Sequence, residues 1–228
     1  MKIFRTAHLD GLQAFAMRTE QLAVVEREPP KKSESFFQKV ILHPLRVTGK
    51  VYKASALEDI REILKDHIPK KMQRTLFYED WLIDMAEVST IFCEILDTHT
   101  IVFWLGSQRG CRRYHVDNVP LRALVTYAGK GTEWLPDEAA DRTAFINKEP
   151  NKNILKDKSL RQFMDQWDIA VFRGGPKGLL HRTPDDALDY PSILMRLDSS
   201  EFWRKVLENE KKDGHINNNF VFNHRDIL

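Results

Sequence analysis

The chain has 228 residues, 42% hydrophobic and 30% charged, a balance that excludes a disordered or fibrous protein and points to a folded globular one. With 35 basic and 33 acidic residues the net charge is +2, so composition gives no signal for nucleic acid or an anionic membrane as partner. Two cysteines without a CxxC pair, no secretory apolar run in MKIFRTAHLDGLQAF and no stretch of about 18 apolar residues together predict a soluble protein of the cytoplasm.

Residues 1–35 carry no clear period, and EREPPKKSES (26–35) reads as a charged, proline-broken loop. FFQKVILHPLRVTGKVY (36–52) suits a short strand or a short helix equally, with His43 before Pro44 in a surface role. SALEDIREILKDHI (55–68) predicts a helix. Ser55 and Glu58 stand at capping-box spacing, and Leu57, Ile60, Ile63, Leu64 and Ile68 recur at helical spacing. TLFYEDWLIDMAEVSTIFCEILD (75–97) predicts a second helix. Leu76, Trp81, Leu82, Met85, Val88, Phe92, Ile95 and Leu96 form one broad stripe there, with Cys93 packed among them as a core thiol. Residues 1–98 are thus read as a helical buttress that packs on something flat.

From residue 99 the character changes. HTIVFWLGSQ, RYHVDNVP, RALVTYAG, DIAVFRGG, GLLHRTP and SILMRLD are short Val-, Ile-, Leu- and aromatic-rich runs cut by Gly and Pro, a train of β-strands. The polar interval 136–164 reads as a long insert, SSEFWRKVLENEKK (199–212) as a closing helix, and 213–228 as a polar tail with His215 and His224 exposed. Six to eight such strands must close or double over to protect their edges. The fold is therefore read as α+β: a double-stranded β-helix core over 99–212, jelly-roll or cupin-like, flanked by N-terminal helices and a C-terminal helix.

His115 and Asp117 flank Val116, so on a strand both side chains share one face. His181 lies in a second strand-like run just after a glycine turn. Burying a His and an Asp is costly unless something satisfies them. Two imidazoles and one carboxylate form the facial triad of non-haem Fe(II) sites, which leaves positions for co-substrate and O₂. The same three residues also suit zinc, or a structural His–Asp hydrogen bond. Elsewhere, Trp134 reads as a buried aromatic or a site wall, Asp168 as a turn contact, and Cys111 as a strand residue or a redox-sensitive neighbour. RGCRR (109–113) is locally basic, suited to a solvated strand end or to guiding an anionic substrate, and GGPKG does not match a phosphate-binding loop.

The segments YHVDNVPLRALVTYAGKGTEWLP, DIAVFRGG, LLHRTP and ILMRLD resemble the uncharacterised bacterial DUF1826 family. More broadly they resemble the Fe(II)- and 2-oxoglutarate-dependent dioxygenase superfamily on the double-stranded β-helix fold. The resemblance implies His115 and Asp117 as the HxD ligands, His181 as the distal ligand, Fe(II) as cofactor and 2-oxoglutarate as co-substrate. It also implies a basic residue on the strand after the distal histidine, paired with the far carboxylate of 2-oxoglutarate. Arg196 matches that role best, with Arg182 and Arg122 as competitors, and Tyr127 and Thr126 as further candidates to bond a co-substrate carboxylate. Period-2 reading puts Leu194 and Asp198 on the face of Arg196, and an apolar opposite face of Ile193, Met195 and Leu197 would turn Arg196 outward. The expected function is a hydroxylase-type oxygenase acting on an unidentified substrate. The alternatives are a cupin-like metal-binding protein (Zn or Fe) without oxygenase turnover, in metal homeostasis, and an interaction module without metal.

Overall fold

The computed structural model describes residues 3–213, and in it the apolar strand runs assemble into one seven-stranded sheet. The first half of the chain holds β1 (Ile3–Arg5), β2 (Leu22–Val25), α1 (Ser33–Val40), β3 (Arg46–Tyr52), α2 (Ala56–Leu64), α3 (Lys70–Gln73), α4 (Leu76–Ile95) and β4 (Thr100–Gly106). The second half holds β5 (Leu121–Ala128), β6 (Glu133–Leu135), α5 (Arg142–Ile146), α6 (Asn151–Ile154) and β7 (Gln162–Phe163). It continues with β8 (Ile169–Arg173), β9 (Leu180–Arg182), α7 (Asp186–Asp189), β10 (Ile193–Ser199) and α8 (Ser200–Asp213). The large sheet runs β1-β2-β8-β5-β10-β4-β3, and apart from the parallel pair β1 and β2 its strands are antiparallel. A second, three-stranded antiparallel sheet runs β7-β6-β9. The result is a mixed α+β fold with a large antiparallel sheet.

Both faces of the large sheet are covered, and strand alternation assigns each side chain to one of them. Ile101, Phe103 and Leu105 of β4, Ala123, Val125 and Tyr127 of β5, and Ile193, Met195 and Leu197 of β10 pack in one core with α1, α2 and α4. The alternate residues Val102, Trp104, Leu124 and Leu194 meet Trp134 of β6, Leu179, and Trp203 and Leu207 of α8 in a second core. Arg196 therefore does not turn out to solvent, as an apolar opposite face suggested. The side of the sheet away from the helices is itself roofed, and only 15% of the Arg196 side chain is exposed.

Residues 1–98 supply more than a helical buttress, because β1, β2 and β3 extend the large sheet at both ends. The ambiguous stretch 36–52 divides, most of α1 coming first and β3 after a turn. The capping box does not form. The Ser55 hydroxyl donates to Asp59 instead (3.0 Å), and the same carboxylate accepts the Tyr52 N–H (2.8 Å). On α4, Thr75 caps the N-terminus by accepting the Tyr78 N–H, while Leu76, expected in the stripe, is exposed. Cys93 is fully buried in that helix, and burial pushes its thiol up to about 11. The insert 136–164 carries α5, α6 and β7. His43 is exposed, Asp168 accepts the Arg27 and Asp165 N–H groups in a turn, and His215 and His224 lie outside the described residues.

Tyr127 requires a correction. A candidate for a co-substrate contact or for ordinary strand packing, it stands one residue out of phase with Arg122, Leu124 and Thr126 and so packs toward the helices. Its ring lies 5.7 Å from that of Trp81 and 4.8 Å from that of Trp167, and its hydroxyl donates to Asp84 (2.7 Å), which also holds Arg27. Tyr127→Phe is expected to cost about 1.5–3 kcal/mol in chemical denaturation, the worth of a hydrogen bond to a charged group. Metal stoichiometry should not change, and a loss of bound metal would return Tyr127 to the site.

Candidate metal centre

The segment RYHVDNVP is extended but is not a regular strand. Among the described residues its ladder pairing is a single bridge, His115 opposite His181 of β9, with both N–H···O=C bonds at 3.0 Å. On the other side of His181 stands Trp134 of β6, so His115, His181 and Trp134 lie in a row, and Trp134 packs in the core behind the site. Direct opposition puts the two imidazole rings 4.3 Å apart.

After His115 the chain turns back at Asp117. The Asp117 carbonyl accepts the Gly175 N–H (2.6 Å), and the Pro120 carbonyl accepts the Gly174 N–H (3.1 Å). A Cβ at position 174 would sit 2.4 Å from the Asp117 carbonyl oxygen and 2.1 Å from that of Val119. Glycine is what lets this loop close down and place the Asp117 side chain.

The three side chains converge. Each imidazole has its Nδ1 3.0 Å from a backbone carbonyl, Arg113 for His115 and Leu179 for His181. A carbonyl only accepts, so Nδ1 carries the proton and Nε2 keeps a lone pair. Those Nε2 atoms lie 3.7 and 3.6 Å from the carboxylate oxygens of Asp117, and the candidate ligand atoms are all within 4.8 Å of one another. Arg122 Nη1 holds Asp117 Oδ1 at 2.6 Å, whereas Oδ2 is buried with no hydrogen-bond partner. Electron-pair donors thus face each other with no proton between them, an arrangement that a cation bound about 2 Å from each would satisfy.

Charge agrees with this geometry at His181 and Asp117 and opposes it at His115. Burial pushes His181 down to about 4, so it is neutral and ready to ligate at neutral pH. For His115 burial also acts downward, but the Cys111 thiol and the Asp117 carboxylate outweigh it and the net direction is up. Asp117 ends below the usual carboxylate range, since His181, Arg122 and His115 outweigh its burial.

The arginines differ sharply in what they touch. Arg122 directly faces Asp198 across β5 and β10, and its Nε and Nη2 reach that carboxylate at 2.7 and 3.0 Å while Nη1 holds Asp117. Its fork is filled by two carboxylates, which makes it a positioner of Asp117. Arg182 is likewise engaged, with Glu133 at 2.8 Å and Asp185 at 3.0 Å. Arg196 lies 3.4 Å from Asp198 and 5.2 Å over its cross-strand neighbour Trp104. Burial lowers it to about 10, so it is still charged at neutral pH. The three arginines and Trp104, with His115 and His181, line a cavity of about 330 Å³, which Thr126 does not reach.

Asp198, Glu133 and Arg109 were not singled out as individual site residues in the sequence. Asp198 alternates with Arg196 in MRLD, a signal that was present. Glu133, buried between the Tyr114 hydroxyl and Arg182, is one acidic residue in GTEW with nothing local to mark it. Arg109 sits in RGCRR, where no single arginine stands out.

Gly174→Ala is expected to destabilise the fold by about 1–3 kcal/mol through overpacking and to weaken metal binding by displacing Asp117. Unchanged metal affinity in that variant would separate Asp117 from its loop. For His181, the unfolded chain binds the proton with a pKa near 6.5 and the folded chain near 4, so the unfolded state holds more protons between those values. The metal-free protein should therefore lose stability as pH falls from about 6.5 to about 4, and His181→Gln should flatten that slope in urea melts.

Among curated proteins none matches the chain. Solved structures align with it at low similarity. They include a putative oxygenase from Shewanella oneidensis at TM-score 0.44 and 12% identity, covering 95% of this chain and 100% of that one. EctD from S. alaskensis with bound Fe aligns at TM-score 0.40 and 14% identity, covering 83% and 76%. An oxidoreductase of the 2OG-Fe(II) oxygenase family from Burkholderia pseudomallei aligns at 0.38 and 7%, covering 87% and 94%. At such scores and identities these likenesses decide neither the fold nor the activity of this chain. The sequence does decide its family: residues 7–198 match the description "Protein of unknown function (DUF1826)", and the chain belongs to that family.

Proposed function

We propose that this protein is a non-haem Fe(II)- and 2-oxoglutarate-dependent oxygenase of the hydroxylase type, its two sheets forming a double-stranded β-helix. The observation that carries the reading is the buried Asp117 carboxylate, whose Oδ2 has no hydrogen-bond partner, set against the Nε2 atoms of two imidazoles (His181 by Oδ2, His115 by Oδ1) beside a cavity walled by arginines. His115, Asp117 and His181 would hold the metal, which when bound supplies redox chemistry with O₂ while oxidative decarboxylation of 2-oxoglutarate supplies electrons.

The chain's own residues have distinct tasks in this reading. The Arg113 and Leu179 carbonyls orient the imidazoles, and Arg122 keeps Asp117 ionised and aimed. Arg196 meets the far carboxylate of 2-oxoglutarate, since it projects from β10 into the cavity and keeps its charge there. Arg122 and Arg182 serve this role less well, because carboxylates of the protein already fill their forks. Trp104, Leu124 and Leu194 add an apolar stretch of wall, which limits water at the site. The co-substrate is a small molecule, the substrate is unidentified, and the proposed location is the cytoplasm. Among the described residues, no helix is long and apolar enough to cross a membrane.

One observation favours the second reading, a cupin-like metal-binding protein without turnover. The Cys111 thiol lines the same cavity as His115, which lowers its pKa, and a thiolate there would suit zinc better than iron. Anaerobic addition of Fe(II) and 2-oxoglutarate separates the two. The oxygenase should show a weak visible charge-transfer band that needs both additions and disappears in Asp117→Ala. In Arg196→Lys the band should need about 10–100 times more 2-oxoglutarate, as loss of a bidentate charged hydrogen bond implies, with metal binding retained. Absence of the band in a metal-loaded wild type would leave the second reading.

A further inference from the structure

A second cavity, of about 470 Å³, adjoins the one beside the candidate metal ligands, and Gln108 and Arg109 line both. Arg109 stands in the wall between an inner chamber and an outer one. Its guanidinium is held by two neutral acceptors, the Lys130 carbonyl (2.5 Å, Nη1) and the Thr132 hydroxyl (2.7 Å, Nη2). Every other arginine lining the inner cavity has a carboxylate within 2.6–3.4 Å, but among the described residues Arg109 has none. Partial burial lowers it to about 10, so at neutral pH it is a positively charged fork, oriented by neutral acceptors and without a carboxylate partner among the described residues. A guanidinium has five N–H donors, and the two neutral acceptors leave the others for a ligand.

We infer that Arg109 binds an anionic group of the primary substrate, a carboxylate whose organic body extends into the outer cavity. A single uncompensated cation suits a monoanion, and its planar fork matches the two oxygens of a carboxylate. A phosphate dianion would call for more positive charge than this wall offers. Leu42 and Tyr190 line the outer cavity and are 73% and 74% exposed, large apolar surfaces that the body of such a molecule would cover. Assigning the bound molecule as substrate rests on the oxygenase reading, whereas the anion site itself does not.

The test uses the full chain loaded with Mn(II) and the non-reacting co-substrate analogue N-oxalylglycine. Phenylacetate is the probe, followed by titration calorimetry and by Mn(II)-induced broadening of its NMR signals. Phenylacetate should bind and broaden, its uncharged counterpart phenylacetamide should bind weakly, and Arg109→Gln should raise the phenylacetate Kd by about tenfold or more. The Kd for N-oxalylglycine should stay unchanged in the variant, which a merely structural strap between loops would not ensure. Should Arg109→Gln fail to fold, Arg109→Lys keeps the charge without the fork and should raise the phenylacetate Kd by a smaller factor.

Three outcomes overturn the inference: phenylacetate binding equally to wild type and variant, no binding at all, or loss of N-oxalylglycine affinity in the variant, which would make Arg109 the co-substrate anchor. Inorganic phosphate displacing the probe more effectively than acetate would overturn the carboxylate assignment. If the wild type binds no N-oxalylglycine while phenylacetate binding to the Mn(II)-loaded protein still depends on Arg109, the oxygenase reading fails and the anion site stands.

Discussion

A guanidinium locked between two buried carboxylates ties the candidate centre to the sheet. Arg122 of β5 grips Asp198 of β10 with Nε and Nη2 and Asp117 of the preceding loop with Nη1. Asp117 and Asp198 are 7% and 1% exposed, so neither carboxylate is tolerable there without its cation. This one side chain therefore joins two neighbouring strands to the loop that carries a candidate ligand. Trp203 of α8 adds a hydrogen bond to Asp198, so the closing helix supports the same chain of contacts.

The two faces of the large sheet divide structure from chemistry. The helix side is apolar and aromatic, closed by α4, and the Tyr127 hydroxyl there is paired with Asp84. On the opposite side, β5 presents Arg122 and β10 presents Arg196 and Asp198, charges that would be prohibitive in the helix-side core. The smaller sheet roofs this charged strip and supplies His181, while the bridge from His181 to His115 brings in the loop. A site of this kind needs opposed layers, since a single sheet with one wet face would leave its arginines fully hydrated and weakly directing.

Below the imidazole pair lies another buried network. Glu133 of β6 faces Arg182 of β9 directly across the ladder and accepts from the Tyr114 hydroxyl as well. Tyr114 and Arg182 are the immediate neighbours of His115 and His181, so this network fixes the backbone on both sides of the bridge. Such a cross-strand ion pair with a hydroxyl donor restrains the two segments that carry the imidazoles, and restraint is what a set of metal ligands requires.

How much was legible in the sequence depended on the range of the interaction. Short apolar and aromatic runs cut by Gly and Pro determined β4, β5, β8, β9 and β10, though the same signal in RYHVDNVP gives only a single bridge, and apolar spacing determined α4, because a helix facing a core repeats its apolar residues whatever covers it. The spacing of His115 and Asp117, with His181 in a later strand run, was also sufficient to nominate the three residues that now lie together. Tertiary structure alone decided the rest. Strands as short as β1, β6 and β7 have no period of their own, and they exist because a neighbour completes their hydrogen bonds. The local capping signal at Ser55 gave way to Asp59, which satisfies the Ser55 hydroxyl and the Tyr52 N–H together. The parity of Tyr127 and Arg122 on β5 was readable, but which parity meets the helices was not, because it depends on where two distant layers close. The division among the arginines, Arg122 and Arg182 filled by carboxylates and Arg109 held only by neutral acceptors, comes from partners up to 76 residues away, brought close by folding alone.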